Sequence, residues 1–366
     1  MARTYILQGM KRDTVLQIAG ISKHQYYYRP LGTRGGRQPI LLTPLLSADG
    51  SVTQVEEKQV VEQIKSIKTS CELEDYGYRK VCIALMMSGL MINHKKVYRI
   101  MSEYQLLNDR HQRPSRQYAK YRKVCPEGPL QVIEMDIKFQ WVEEHSRHCY
   151  ILTILDTFTR AVLHWELGYT MKQAQVKRAW EEVIATHLQG ADMLSKGISI
   201  EIRNDNGSQF AAKTIQEFFK ENHLNQVFTH PYTPQENGHI ESFHSILGRS
   251  LDRKRFLTFR DLERHLKLFY RIYNDQRLHG SIAILPPRMF WQLWNQNLIT
   301  RTVVKNNQVK FKLKIPYQKL SGIGKLKGAS CYSLHDLDGH AENQKKVVRP
   351  DTPQPSVQRS PSVASC

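Results

Sequence analysis

The chain has 366 residues, enough for two or three domains that each bury a core. Its 53 Lys and Arg against 34 Asp and Glu give a net charge of +19, which favours a polyanionic partner such as nucleic acid over a merely soluble basic protein. There is no run of 18 apolar residues, no signal-peptide core and no Cys-x-x-Cys pair among the six cysteines. We therefore expect no membrane span, no disulfide framework and a cytosolic location.

The first 30 residues predict two short helices on either side of Gly20, with Ser22 as the N-cap of the second. A helix-turn-helix and a plain helical hairpin both fit this pattern. Residues 31–53 are rich in Gly, Pro, Thr and Ser, and this composition predicts a linker.

Residues 54–108 predict a helical domain of the helix-turn-helix type. Apolar residues recur at helical spacing between Val55 and Ile67, Gly89 ends a second helical segment, and Asn93 is placed to cap a third. The first two turns of that third helix either contact DNA or form a solvated face. Their basic residues are Lys95, Lys96 and Arg99.

Residues 109–128 form a basic connector with little periodicity. Between a helical module and the domain that follows, such a connector is expected to follow a DNA backbone, which is a contact independent of base sequence. The cations predicted to make this contact are Arg113, Arg116 and Lys120.

Residues 129–256 alternate strands and helices. The predicted strands are residues 133–141, 150–155, 161–167, 198–202 and 226–229, and the predicted helices are residues 176–184, 214–222 and the segment around Glu241. This order of elements predicts a mixed α/β sheet of the ribonuclease H type, preceded by the all-α module and followed by a small basic α+β segment.

That last segment, residues 257–340, opens with helical patterns over 262–273 and 287–294. Two strands interleaved with Lys then flank Asn306-Asn307, which is typical of a hairpin. Residues 341–366 are rich in Ser, Pro, Gln and Lys and predict a disordered tail.

Three acids stand out because of where they lie in these elements. Asp136 is on the polar face of the first strand of the sheet, Asp205 follows the 198–202 strand, and Glu241 is on the last helix of the sheet domain. Cleavage of a phosphodiester needs charge neutralised on the attacking and leaving oxygens, which two Mg²⁺ or Mn²⁺ ions roughly 3.5–4 Å apart provide. Carboxylates are the ligands that such ions prefer, so the three acids predict a two-metal site acting on nucleic acid.

Other acids compete for the same role. Glu134 shares the strand face of Asp136, Asp156 lies in a turn, and Glu236 lies close to Glu241. Glu134 would otherwise be an acid at the surface or one that supports a metal ligand, and Asp156 would be a turn acid. Glu236 would be an acid in the first turn of a helix, where the helix dipole favours negative charge.

The strings around these acids resemble the integrase-core (DDE) transposases of bacterial insertion sequences, of the type encoded by a downstream reading frame, and more distantly the retroviral integrases. The 35 residues between Asp205 and Glu241 also match that family's spacing. The resemblance covers roughly residues 70–292. The matching strings are Glu134-Met135-Asp136, Leu155-Asp156-Thr157-Phe158-Thr159-Arg160, Asn204-Asp205-Asn206-Gly207-Ser208-Gln209-Phe210, Pro231-Tyr232-Thr233-Pro234-Gln235-Glu236-Asn237-Gly238-His239-Ile240-Glu241, and Tyr273-Asn274 with Arg277 and His279.

The resemblance implies that Asp136 bridges two metal ions while Asp205 and Glu241 each hold one. Water would first nick the transposon end, and the freed 3′-hydroxyl would then attack target DNA. It also implies a homo-oligomer that pairs double-stranded transposon ends with target DNA in a synaptic complex. The location implied is the bacterial cytoplasm, in association with the nucleoid, and a further implied partner is a protein encoded by an upstream reading frame. The alternatives are a ribonuclease H-like nuclease that does not join DNA and a DNA-binding regulator of transposition.

One position departs from the family's pattern. The family often carries Lys or Arg seven residues after the glutamate, where this chain has Gly248. Its neighbour Arg249 carries a charge, but one residue on a helix turns the side chain about 100° away. The residues predicted to contact DNA beside the acids are Asn237, Gly238, His244 and Arg249.

Overall fold

Three short helices begin the chain, in the first of two compact units, Met1–Leu42 and Thr43–Cys366. The computed structural model describes residues 2–27, 40–47, 49–69, 73, 75–108, 125–191, 193, 198–229, 234–304 and 308–322. The helices of the first unit are α1 (Ala2–Leu7), α2 (Arg12–Ile18) and α3 (Lys23–Tyr27). The Ser22 hydroxyl accepts a hydrogen bond from the N–H of Gln25, as predicted for the cap of α3. Helix α1 was not predicted because its six residues carry neither a cap nor an apolar period.

The second unit begins with a β-hairpin of two strands, β1 (Thr43–Leu46) and β2 (Val52–Val55). The linker predicted over residues 31–53 is therefore wrong for its last part, while residues 31–39 lie outside the described residues. The hairpin is held by the helical module, because the N–H of Leu46 donates to the carbonyl of Gly89. Gly89 has φ +99°, and a Cβ there would meet the Leu46 carbonyl oxygen at 2.5 Å, so this close approach requires glycine.

The helical module consists of α4 (Glu57–Thr69), α5 (Tyr78–Met87) and α6 (His94–Glu103). The side chain of Asn93 accepts a hydrogen bond from the N–H of Lys96, as predicted for an N-cap. Each helix buries one apolar stripe, with Val60 and Ile64 on α4 and Val97 and Ile100 on α6 fully inaccessible to solvent. This packing is the helical domain that the sequence predicts.

A five-stranded mixed sheet follows, with the strand order β5-β4-β3-β6-β7. The strands are β3 (Val132–Val142), β4 (Arg147–Asp156), β5 (Val162–Gly168), β6 (Ile200–Asn204) and β7 (Leu224–Phe228). The pairs β3–β4 and β4–β5 are antiparallel, whereas β3–β6 and β6–β7 are parallel. Three meandering strands extended by two parallel ones are the ribonuclease H arrangement, so the predicted fold class is confirmed.

Helices cover both faces of this sheet. They are α7 (Gln173–Val183, continued by a π-turn over Ile184–Leu188), α8 (Ser208–Ala211), α9 (Lys213–Glu221), α10 (Gly238–Leu251) and α11 (Phe259–Asp275). Trp180 of α7 and Phe219 of α9 pack with Met135 on one face. Phe243 of α10 and Phe269 of α11 pack with Ile151 on the other. Because strand residues alternate between faces, Glu134, Asp136 and Lys138 point to the side of α10 and α11.

The last described elements return to the helical module. They are α12 (Pro287–Asn295), β8 (Ile299–Val304), β9 (Gln308–Leu313) and a 3₁₀ turn over Tyr317–Gly322. The hairpin β8–β9 was predicted, although its turn Asn306-Asn307 and the predicted tail 341–366 lie outside the described residues. Leu285, Phe290 and Leu320 share one apolar core with the helices α4 to α6. The segment predicted as a separate domain over 257–340 is thus split, since α11 belongs to the sheet and the rest belongs to the helical module.

None of the helices in the described part of the chain is long and apolar enough to cross a membrane.

Candidate active site

The pairing of two parallel strands determines where Asp136 and Asp205 lie. Strand β3 pairs with β6 so that Glu134 lies opposite Arg203. Asp136 follows Glu134 by two residues on β3, and Asp205 follows Arg203 by two residues, just after the carboxyl end of β6. Asp205 lies in the loop that leads to α8, and the N–H of Gly207 donates to its Oδ1 at 3.0 Å. The pairing of β3 with β6 therefore puts the segments that carry these two acids next to each other in the sheet.

Helix α10 supplies the third acid, and a buried carboxyl of the sheet holds the start of this helix. The N–H of Ile240 donates to Glu134 Oε2 at 2.7 Å, and neither residue is accessible to solvent. Glu241 is the next residue along the helix, on the exposed side. Because the first N–H groups of a helix lack partners within the helix, a carboxyl at this position both satisfies a donor and favours the positive end of the helix dipole.

The electrostatics of the three acids show that they share one region. Burial raises the pKa of Asp205, and the negative charge of Asp136 raises it further. Burial likewise raises the pKa of Glu241, Asp136 adds to the increase, and His244 opposes it. The Nδ1 of His244 lies 3.3 Å from Asp136 Oδ2, so this ring directly faces the carboxylate of Asp136. Three carboxylates that repel one another need a countercharge to stay ionised together.

The chemistry of these donors fits a divalent metal such as Mg²⁺ or Mn²⁺. All three are carboxylates, the oxygen ligands that hard cations prefer, and their mutual repulsion is what a cation would relieve. Among the described residues, no three His, Cys, Asp or Glu side chains already converge on a single point as a metal cluster. The acids therefore border a common region without closing on it.

The competing acids have other roles. Glu134 was predicted as a surface acid or a support for a metal ligand; the surface alternative is wrong, since burial raises its pKa to about 7 and Ile240 donates to it. Asp156 is fully buried and organises its turn, accepting hydrogen bonds from the N–H and the hydroxyl of Thr159. Glu236 lies in the 3₁₀ turn before α10, where its backbone carbonyl accepts a hydrogen bond from Arg203.

The residues predicted to contact DNA beside the acids are placed unevenly. Asn237 is 7% exposed, so its side chain does not reach the surface as that prediction requires. Gly238 begins α10 with open space around its Cβ position. His244 faces Asp136, and Arg249 turns to Asp75 of the helical module at 3.4 Å. Of these four, Gly238 is the one that is partly accessible to solvent and has no protein atom near its Cβ position.

The basic residues of α6 also divide into two kinds. Arg99 forms ion pairs with Glu57 on α4 and Glu103 on its own helix, and Lys96 donates to the Thr43 hydroxyl at 2.8 Å. These two side chains brace the module, and their contact with DNA stays a prediction. Lys95 is the one residue of the three that is exposed. The predicted contacts Arg113, Arg116 and Lys120 lie outside the described residues.

A surface patch that the sequence did not single out surrounds Lys95. Tyr78 at the start of α5 packs edge-on against Tyr98 at 5.2 Å, and the guanidinium of Arg79 lies over the Tyr78 ring. His94 lies on the other side of Tyr78, 6.4 Å between ring centroids. We call Tyr78, Arg79, His94, Lys95 and Tyr98 the α6 patch. The signal was present in the sequence as aromatic residues interleaved with basic ones, but only the packing of α5 on α6 joins them into one surface.

A buried ion pair joins the helical module to the end of α11. The guanidinium of Arg277, whose side chain is 4% exposed, donates to Asp75 at 2.6 Å. Next to it, the N–H of Leu278 donates to the hydroxyl of Tyr76. Although burial alone would raise the pKa of Asp75, Arg277 together with Lys80 and Arg249 lowers it. Arg277 belongs to the segment that follows the core, and its role here is to connect domains.

Comparisons with known proteins agree with this organisation. Residues 126–234 and 222–287 match two family models, each described as integrase core domain, and residues 56–114 match one described as HTH-like domain. A protein of insertion element IS476 from Xanthomonas euvesicatoria is 24% identical over 238 residues, which cover 64% of this chain and 64% of that protein. The putative transposase InsK of element IS150 from Escherichia coli is 24% identical over 226 residues, covering 58% of this chain and 76% of InsK.

Solved structures of integrases and transposases are also similar to the chain. A chain in the structure of the simian T-cell lymphotropic virus intasome in complex with PP2A regulatory subunit B56 gamma matches with a TM-score of 0.38 and 14% identity, covering 60% of this chain and 71% of that one. The catalytic domain of Mos1 mariner transposase matches with a TM-score of 0.35 and 14% identity, covering 44% and 74%.

Proposed function

We propose that this chain is an integrase-core (DDE) transposase of the insertion-sequence type, which cleaves transposon ends and joins them to target DNA through Asp136, Asp205 and Glu241. The single observation that carries the assignment of the site is the β3–β6 register, which pairs Glu134 with Arg203, two residues before Asp136 and Asp205, while the N–H of Ile240, next to Glu241, donates to the same Glu134. Raised pKa values of Asp205 and Glu241, both increased by the charge of Asp136, support the same grouping.

In this proposal Asp136, Asp205 and Glu241 would together hold two Mg²⁺ or Mn²⁺ ions. When bound, such ions activate an oxygen nucleophile and neutralise charge on the attacking and leaving oxygens. The chain's own residues position the carboxylates: His244 orients Asp136, and the N–H of Gly207 fixes Asp205. A water oxygen attacks the phosphorus and the 3′-oxygen leaves; that 3′-hydroxyl then attacks a target phosphodiester. Each step forms one P–O bond and breaks one, without a covalent enzyme intermediate.

Double-stranded DNA is the proposed partner, bound in part by the α6 patch. The second helix of a helix-turn-helix reads the major groove from its N-terminal end, where His94 and Lys95 lie. Aromatic and basic side chains together suit contact with both bases and phosphates. The paired ends and the target would be held by a homo-oligomer, and an upstream-frame protein remains a further proposed partner. The chain spans 64% of the length of the IS476 relative, so these partners are proposed for the matched region.

Strand transfer by the purified protein tests the proposal. A labelled, pre-nicked transposon-end duplex is incubated with target DNA and Mg²⁺ or Mn²⁺, comparing wild type with Asp136→Asn, Asp205→Asn and Glu241→Gln. Glu217→Gln, which removes an exposed acid on α9 across the sheet, is the matched control. We expect metal-dependent joining in the wild type and the control, and loss of joining with retained DNA binding in the three variants. Cleavage of an intact end duplex without joining of the pre-nicked one would identify a nuclease instead, and binding without either reaction would identify a regulator.

A further inference from the structure

Glycine at position 248 is unusual for the middle of a helix. Gly248 lies on α10 seven residues after Glu241, and seven steps of about 100° leave it about 20° short of two full turns, so both residues share a helix face. Glycine in a helix interior costs roughly 0.5–1 kcal/mol relative to alanine. Its Cα is buried against the sheet. An unfavourable residue at this position indicates that something else needs the space.

The side chain of Lys138 occupies that space. A Cβ built on Gly248 would lie 3.3 Å from Lys138 Nζ and 3.5 Å from its Cε. The first of these distances is closer than side-chain carbons ordinarily approach, so even alanine would press on the end of the lysine. Lys138 reaches this point because it follows Asp136 by two residues on β3 and therefore points to the same face of the sheet.

The ammonium group of Lys138 has no ion-pair partner in the described part of the chain. Asp252 is the nearest acid to this point, with Oδ2 4.0 Å from the same Cβ position, yet it forms no salt bridge with Lys138. Other cations near α10 are paired: Arg249 and Arg277 both contact Asp75. The positive charge of Lys138 is therefore available to a ligand from outside the protein, at about 6.6 Å along the strand from Asp136.

We propose that Lys138 contacts a DNA phosphate beside Asp136 and Glu241, and that Gly248 is the gap that admits its side chain. The inference rests on the proposed function and adds a residue to it. In relatives that carry Lys or Arg at the helix position of Gly248, the cation would come from α10; in this chain it comes from the strand and arrives at the same place. The positive charge therefore keeps its position, but β3 supplies it in place of α10.

Salt dependence of DNA binding tests this exchange separately from catalysis. The affinity for a transposon-end duplex is measured from 50 to 200 mM salt, without added divalent metal, for wild type, Lys138→Met and Lys138→Arg. Methionine keeps the stem and removes the charge, so we expect roughly tenfold weaker binding and a salt slope smaller by about 0.9. Arginine keeps the charge and should restore the slope. Lys220→Met, on α9 across the sheet, is the control and should behave as wild type.

A charge swap gives the second test. Gly248→Lys combined with Lys138→Thr moves the cation from the strand to the helix, and we expect it to recover the wild-type salt slope, whereas Lys138→Thr alone should not. An unchanged slope in Lys138→Met, with an unaltered thermal unfolding midpoint, would overturn the inference even if the wild type joins DNA. If the wild type binds with a Lys138-dependent slope but joins nothing, the inference stands and the proposed function fails.

Discussion

The contact between Glu134 and the start of α10 predicts a residue that positions Glu241 without binding metal. Glu134→Ala leaves the buried N–H of Ile240 without its acceptor, which costs about 1–3 kcal/mol. Glu134→Gln keeps an oxygen acceptor and nearly the same volume. Because burial raises the pKa of Glu134 to about 7, glutamine resembles the protonated form that is already populated at neutral pH.

The assay is single-turnover strand transfer on a pre-nicked end, together with a titration of Mg²⁺. Since Glu241 directly follows Ile240, a shift of the helix start by about 1 Å is expected to slow joining on the order of 100-fold in Glu134→Ala. Glu134→Gln should stay within a few-fold of wild type with the same metal midpoint. Asp136→Asn provides the reference for loss of a metal ligand. If Glu134→Gln abolished joining as completely as Asp136→Asn, at an unchanged unfolding midpoint, Glu134 would be a ligand and the positioning argument would be refuted.

Two further predictions concern stability. Burial lowers the pKa of His265 to about 4, and the ammonium of Lys254, 3.2 Å from its Nδ1, lowers it further. The stabilisation that comes from keeping His265 neutral is therefore complete above pH 6.5 and is lost as the pH falls towards 4. Unfolding at pH 7 and pH 5 should differ by about 2 kcal/mol from this group, and His265→Gln should remove that difference, so an unaltered pH dependence would contradict the assignment. Asp75→Ala deprives the buried Arg277 of its carboxylate, and because Asp75 is partly exposed we expect a loss of about 2 kcal/mol in the free energy of unfolding, below the 3–5 kcal/mol of a fully buried pair. A double variant with Arg277→Met should lose less stability than the sum of the two single variants. Additive losses would argue against the pair.

The sheet and its acids could be predicted because their signals are local. Alternation of apolar and polar residues fixes which face of β3 carries Asp136, and the short apolar runs mark the strands beside it. Glu241 could be placed on a helix from the apolar stripe of Ile240, Phe243 and Leu247. The register that pairs Glu134 with Arg203, two residues before Asp136 and Asp205, cannot be derived from either strand alone. It becomes visible only when β3 and β6 are paired.

What the sequence could not give depends on partners that are distant along the chain. Glu134 lies on the polar face of its strand, so the sequence indicates an acid that faces solvent. Helix α10 covers it instead, and the N–H of Ile240, 106 residues later, donates to its carboxyl. Arg99 resembles a DNA-binding cation until Glu57, 42 residues earlier, is found beside it. The strand β1 lies in a segment with the composition of a linker and forms because α5 ends against it at Gly89.

Helix α10 is fixed at both ends, and the two attachments differ in strength. At its start the buried Glu134 holds the N–H of Ile240; near its end Arg249 pairs with Asp75 of the helical module. The Arg249 side chain is 51% exposed, and such surface pairs contribute about 0–1 kcal/mol, so this contact alone does little. The same Asp75 is bound much more firmly by the buried Arg277 at the end of α11. Orientation of the helical module relative to Glu241 is therefore set mainly through α11 and its packing on α10. A substitution at Arg277 should for that reason disturb strand transfer on long DNA ends, which contact both regions, more than it disturbs binding of short ones.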